Sequence, residues 1–386
     1  MTPLLRAAIP LLVLAMACAS AHGEEARTPA DLIRALRASQ DRITLGDTDA
    51  HLSQRISLTQ IAEQLAAVPA EAWKEPRNAR AALAFVLSGG APALLKKLID
   101  LGTLPGIDDK LARGVLAYGE GRDADALDLL SAIDARELDA SIAGHIALAQ
   151  AELIAKKEPK KALEFLDDAR LLAPGTLIEE AALRRQVSIV ATTGDFDRFE
   201  MLSTNYLRRF SRSVYAGAFR RQFAADVASR ADTGGGDRTA RLQSALEGLD
   251  PAERRDVYLT IAREALIRGR APLARLGASN AFPLFEEGSA EKLRASLYEA
   301  AALVVADEID KGASMLEAMD KAKLGEEDAE LAAAAGAIAA EIRRMPSIAD
   351  ASAPAGGDDL AGTFKVVGTA RETMARVDEL LSGAKK

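Results

Sequence analysis

The sequence predicts an all-α protein: an α-solenoid of tetratricopeptide-like helical pairs, followed by a C-terminal linker and an amphipathic helix. Three observations predict it. The 386-residue chain is 49% hydrophobic but only 4% aromatic, and its heavy use of Ala and Leu with few β-branched runs favours helix over strand. Short turns carrying Gly, Pro or Asp separate amphipathic stretches at steps of 33 to 43 residues, the period of a helix-turn-helix repeat. Capping-box patterns open helices at three places along the chain.

In chain order, the first element is a leader. Met1 to Arg6 carries one positive charge, Ala7 to Ala17 is uncharged and apolar, and Ala19-Ser20-Ala21 is a signal-peptidase pattern. Residues 1–21 therefore read as a signal peptide, whose removal leaves His22 at the mature N-terminus and sends the protein to the periplasm. The apolar run is short of the ~20 residues that a bilayer span needs. Cys18 is the single cysteine and falls in the leader, so the mature chain forms no intramolecular disulfide. A lipidated Cys18 is the alternative, but Ala15 stands where a lipoprotein processing site expects a larger aliphatic residue. Without cross-links, stability rests on apolar burial.

Residues 22–345 form the repeat region. It opens at Thr28-Pro29-Ala30-Asp31, a capping box with proline in the first turn. The recurring turns are "LGDTDA" at 45–50, "SGGAPA" at 88–93, "GEGRDADA" at 119–126, "KKEPKKA" at 156–162, "TGDFDRF" at 193–199, "TGGGDRTA" at 233–240, "RGRAPLA" at 268–274 and "IDKGA" at 309–313. The clearest unit runs from Leu148 to Thr176. In it Ala149, Leu153, Ala162, Leu166 and Ala169 alternate small and large apolar residues at the spacing of two packed antiparallel helices, and Pro174-Gly175 ends it. Thr176 to Glu179 and Asp250 to Glu253 repeat the capping-box pattern. Pro346 to Gly362, rich in Pro, Gly, Ala, Ser and Asp, reads as a flexible linker. Within residues 363–386, Val367, Ala370, Met374, Val377 and Leu381 make an apolar stripe, suited to capping the solenoid or to filling a partner's groove.

Reaction chemistry is sparse. His22, His51 and His145 stand apart, without metal-ligand spacing or a cysteine partner, and His145, after Gly144 in an apolar helix, reads as a core histidine. There is no G-x-S-x-G and no nucleotide fingerprint, and "TGGGD" follows no strand. Glu179-Glu180 and Asp358-Asp359 are sequence neighbours, which diverge on a helix and make poor acid/base pairs. With 49 Lys+Arg against 57 Asp+Glu and a net charge of -8, general nucleic-acid binding is disfavoured. No cofactor is expected.

One segment breaks the composition. Asn205 to Phe223, "NYLRRFSRSVYAGAFRRQF", holds five aromatics and five arginines without an acid. Tyr206 and Phe210 are four apart, as are Tyr215, Phe219 and Phe223, so each set lines one helix face and is expected to bury between repeats. The arginines fall off these stripes and repel one another unless negative charge stands opposite. That charge is either internal, from Glu179, Glu180 or Asp195 to Glu200, or an acidic patch on a protein partner.

Three longer phrases bear on the choice. "WKEPRNARAALAFVLSGGAPALLKKLI" (Trp73 to Ile99), "PGTLIEEAALRR" (Pro174 to Arg185) and "GDFDRFEMLSTNYLRRFSRSVYAGAF" (Gly194 to Phe219) resemble the MotC family, periplasmic motility proteins of rhizobia and related alphaproteobacteria. The resemblance spans roughly residues 30 to 345. It implies a non-enzymatic accessory of the flagellar motor that supports the peptidoglycan-anchored stator protein MotB from the periplasmic side, and it carries over no catalytic residue. The partner-binding surface expected from the residues is Arg208, Arg209, Arg212, Tyr215, Arg220 and Arg221. The alternatives are a generic envelope scaffold or lipoprotein and, weakest, a peptidoglycan-acting enzyme or sugar binder, which would need a pair of acid/base carboxylates.

Overall fold

A computed structural model describes residues 27–229, 236–306 and 308–344. The expected leader at 1–21, linker at 346–362 and last helix at 363–386 lie outside the described residues, as do Thr233 to Gly235 of one turn. Among the described residues there are seventeen α-helices, four short 3-10 turns and no strand. The first eight helices are α1 (Pro29–Thr44), α2 (Thr48–Ala66), α3 (Pro76–Leu87), α4 (Ala93–Asp100), α5 (Asp109–Gly119), α6 (Asp123–Leu130), α7 (Ala143–Ile154) and α8 (Pro159–Leu172). There follow α9 (Leu177–Thr193), α10 (Phe196–Arg209), α11 (Ala216–Ser229), α12 (Gly236–Glu247) and α13 (Pro251–Ile267). The last four are α14 (Ala271–Ala281), α15 (Ala290–Val304), α16 (Ile309–Ala318) and α17 (Glu326–Arg344).

Odd-numbered helices are joined to the even-numbered helices after them, and six of the eight turns read from the sequence, at 45–50, 88–93, 119–126, 156–162, 193–199 and 268–274, stand at these joints; the one at 309–313 lies inside α16, and residues 233–235 of another lie outside the described residues. The helices so joined pack on each other in α1–α2, α3–α4, α5–α6, α7–α8, α9–α10, α13–α14 and α15–α16, while α12 packs on α10. Odd helices also pack on later odd helices: α1 on α3, α3 on α5, α7 on α9, α11 on α13, α13 on α15 and α15 on α17. Pairwise packing of this kind buries one stripe per helix, and alanine lets the backbones approach. The core is accordingly dense in Ala, with Trp73 and Phe85 toward the N-terminal end and Phe199, Tyr206, Phe219 and Phe223 in the middle.

Helix starts follow local chemistry, with two departures. Thr28 and Asp31 form the full capping box before α1, satisfying backbone donors that the first turn leaves unpaired. Thr176 does precede α9, but no box forms there. Its hydroxyl donates to Ala173 O at 2.6 Å, and Glu179 accepts from Gly175 N at 2.6 Å instead. Asp250 accepts from Glu253 N at 2.9 Å, but Glu253 is drawn away to Arg220. At Thr176 neighbouring backbone groups outcompete the box, and at Asp250 a tertiary partner does. Gly312, read as part of a turn, lies inside α16.

One contact is longer in range than repeat periodicity foresees. The α1–α2 pair folds against α9 and the loop between α10 and α11: Val214 N donates to Ile43 O at 3.1 Å, and Leu177 N donates to Asp41 Oδ1 at 3.2 Å. Gly46 makes the approach feasible. Its φ is 96°, and a Cβ there would stand 2.7 Å from Arg212 O. In a simple stacked array each unit touches only its neighbours, so this contact ties the beginning of the chain to its middle.

Candidate functional site: the basic segment of α10 and α11

The aromatic stripes of Asn205 to Phe223 are interior. Tyr206 stacks on Phe219 with ring centroids 3.7 Å apart, Phe199 stacks on Phe223 at 5.8 Å, and Phe210 tilts against Tyr206 at 5.8 Å. Phe210, Phe219 and Phe223 are buried, as their spacing predicts. Such ring pairs add roughly 0.5–1.5 kcal/mol each to the area that they bury.

Beneath them lies a polar cluster that sequence reasoning missed. Glu180 in α9 is completely buried. Its Oε1 accepts from Tyr206 Oη at 2.6 Å and from Ser213 Oγ at 3.1 Å. Arg184, one turn further along α9, places Nε 3.2 Å from the same oxygen, near enough for charge attraction but not aligned as a hydrogen bond. Burial first, and then the Glu180 carboxylate, push the Tyr206 phenol far above its ordinary range, so it remains a hydrogen-bond donor. Arg184 then lies over the Tyr215 ring at 4.5 Å, and Tyr215 meets His51 of α2 edge to face at 5.3 Å. These residues join α9, the α10–α11 loop and α2 through one polar relay. The available signal was the Glu-x-x-x-Arg spacing from Glu180 to Arg184.

The five arginines divide into two kinds. Arg209 donates to Glu179 Oε2 at 2.7 Å, and Arg220 pairs with Glu253 at 2.8 Å while donating to Ser211 O at 3.1 Å. For these two the opposing charge is internal, from α9 and from the start of α13. Of the other internal acids, Asp195 accepts from Arg198 N at 3.1 Å, and Asp197 and Glu200 face Arg241 at 2.9 and 3.3 Å. Arg208, Arg212 and Arg221 are exposed and make no ion pair among the described residues. Tyr215 is half-buried, its phenol raised by burial with Arg184 opposing. Thus the expected six-residue surface consists of three presented cations and three residues engaged in the frame.

Elsewhere the polar interior serves packing. Gln150 donates to Leu130 O and Ile133 O at 2.7 and 2.8 Å, and Asp328 accepts from Arg294 at 2.6 Å. Among the described residues no group of three or more His, Cys, Asp or Glu could hold a metal ion, and no helix is long and apolar enough to cross a membrane. His145 is buried 3.5 Å from Ser88 Oγ. Burial foremost, then the Arg37 charge, push its imidazole from 6.5 down to about 3. Below pH 6.5 the unfolded chain takes up a proton that the folded chain refuses. The neutral ring's contribution is therefore complete above pH 6.5 and is lost as pH falls toward 3, by about 1.4 kcal/mol per unit. Urea unfolding between pH 7 and 4 is expected to show a shallower loss of stability for His145→Gln than for the parent. Parallel curves would mean that His145 takes up its proton equally in both states.

Helices packed in pairs, joined by buried polar clusters and bearing a run of outward arginines, define an all-helical protein that displays a basic surface on a rigid frame. The chain belongs to the MotC family: the family model described as chemotaxis protein MotC matches residues 1–386. Its match to the chemotaxis protein MotC of Rhizobium meliloti (strain 1021) is 35% identical over 345 residues, 88% of this chain and 79% of that protein. The family match extends beyond the stretch in which the resemblance is legible by eye, to both ends of the chain. No solved structure matches. The protein is thus a chemotaxis and motility protein of a family not known as enzymes.

Proposed function

We propose that this protein is a non-enzymatic periplasmic accessory of the flagellar motor, a scaffold that binds and steadies the periplasmic part of the stator protein MotB. The observation that carries the reading is the family match along the whole chain. The signal-peptide pattern at 1–21 supports the periplasm. The packing of odd helices on odd helices supports a solenoid of tetratricopeptide-like pairs, a form that offers long binding faces.

The contact surface in this reading is the outward side of α10, the following loop and α11. Arg208, Arg212 and Arg221 present the charge, and Arg209, Tyr215 and Arg220 hold the backbone that carries them. Presented guanidinium groups beside an aromatic suit an acidic patch on the partner.

Reversing Arg208, Arg212 and Arg221 together to Glu is expected to leave helicity and melting temperature near the parent's, because these side chains are exposed and make no ion pair among the described residues. Binding to the periplasmic part of MotB should weaken by at least about tenfold, since charge reversal turns attraction into repulsion, and swimming should fail. A folded triple variant that binds and swims as the parent does would remove this surface assignment. A deletion strain that swims normally would remove the motor role itself.

A further inference from the structure

A second basic site lies at the N-terminal end, outside the segment assigned to the stator. Arg34 and Arg37 are three apart on α1, and Arg77 and Arg80 are three apart on α3, so each pair shares a helix face. Because α1 packs on α3, the two faces meet along a groove of about 240 Å³, lined by all four arginines with Asp139 and Ser141. The rest of its lining includes Ile33 and Ala84, both buried. Four guanidinium groups gathered in this way repel unless anions balance them.

The protein supplies only part of that balance. Arg34 pairs with Asp31 at 2.7 Å, Arg80 with Asp139 at 3.3 Å, and Arg37 feels the charge of Asp41, one turn along α1, and then that of Asp139, which leaves three acids against four arginines. Asp139 is already engaged, accepting from Ser141 N at 2.9 Å, and Ser141 followed by Arg80 and Arg37 holds it below the usual carboxylate range. Arg37 donates one N–H to Ser141 O, while its Nε is buried with no hydrogen-bond partner. Arg77 stands exposed at the rim, with no ion pair among the described residues. The buried Arg37 Nε–H is an uncompensated donor on a charged group.

We propose that this groove binds a small free oxyanion, a carboxylate or phosphate group held between Arg37 and Arg77. Planar guanidinium groups match both chemistries through paired N–H donors. The volume falls below the roughly 300–1,000 Å³ of pockets for drug-sized ligands, so the occupant is a compact anion. This site stands independently of the stator reading, because it uses none of the same residues.

The test is thermal unfolding and titration calorimetry of the purified protein with sodium succinate and, separately, sodium phosphate, at ionic strength held constant with chloride. A saturable rise in midpoint with one-site heats is expected for at least one of the two. Succinate alone would identify a carboxylate site, and phosphate alone a phosphate site. Arg77→Gln, at an exposed position, should melt like the parent without ligand yet bind at least about tenfold more weakly. Arg55→Gln, which removes an exposed arginine outside both this groove and the stator surface, should bind like the parent. Saturation by neither anion, or equal saturation in the parent and in Arg77→Gln, would overturn the proposal.

Discussion

Replacing Glu180 with alanine is expected to lower stability by about 3–5 kcal/mol. The carboxyl group is completely buried, and partners on its Oε1 replace water lost on folding. Removing it strands the Tyr206 phenol, the Ser213 hydroxyl and the Arg184 charge together, and it opens a cavity under the stacked rings of Tyr206 and Phe219. The Arg184 side chain keeps 35% of its exposure, and water there places the loss toward the lower end of the range. Glu180→Gln retains volume and an acceptor for Tyr206, so a smaller loss of about 1–2 kcal/mol is expected. Glu179→Ala is a useful contrast, because its partner Arg209 is 50% exposed and can turn to solvent. Urea unfolding monitored by circular dichroism ranks the three. If Glu180→Ala unfolded with the parent's midpoint, the cluster would be incidental to the fold.

The prominence of Glu180 shows where sequence reasoning reaches and where it stops. The intra-pair turns were legible because they are local: Gly, Pro and Asp act within a few residues of where they stand. For the same reason the full capping box at Thr28 was legible. At Thr176 and Asp250 the pattern is identical in type, yet Glu179 goes to Gly175 and Arg209, and Glu253 goes to Arg220. Glu253 was decided by a partner brought near by tertiary packing, which spacing along the chain does not encode, whereas Thr176 and Glu179 turned to the adjacent backbone of Ala173 and Gly175, with Arg209 added from α10. The contact between α1 and α9 is a stronger case. Asp41 and Leu177 meet across 136 positions, and nothing periodic links them.

Within the basic segment, the aromatic residues could be placed because a four-residue step defines one helix face. The arginines could not be sorted in the same way. Arg208 and Arg209 are adjacent and chemically identical, yet Arg209 closes on Glu179 of α9 while Arg208 makes no ion pair among the described residues, a difference set by which face of α10 meets α9. Sequence identifies the chemistry of such a surface; the packing selects which of its members are free to act. That selection is why the charge-reversal variant uses Arg208, Arg212 and Arg221 and spares Arg209 and Arg220, whose loss would disturb the frame as well as the surface.

Gly277→Ala and Gly312→Ala are each expected to lose about 1–3 kcal/mol, and the valine variants about 3 kcal/mol or more. By contrast, Gly336→Ala should gain up to about 1 kcal/mol. All three glycines lie inside helices, so alanine brings the same helix-propensity gain at each. What differs is the neighbour. A Cβ at Gly277 in α14 would stand 2.7 Å from Tyr258 O and 2.8 Å from Ala262 N of α13, and one at Gly312 in α16 would stand 2.7 Å from Ala300 O and 2.8 Å from Val304 N of α15. These are backbone atoms, which cannot swing aside as a side chain can, so the paired helices must part along their whole contact. A Cβ at Gly336 in α17 would meet no atom beyond its own helix backbone within 4 Å among the described residues. Thermal melts of the three alanine variants therefore separate two effects of opposite sign. Losses at 277 and 312 with a gain at 336 would establish that glycine sets the distance within these two helical pairs. Gains at all three would mean that the pairs are looser than their backbone contacts require, and that alanine packing alone holds them.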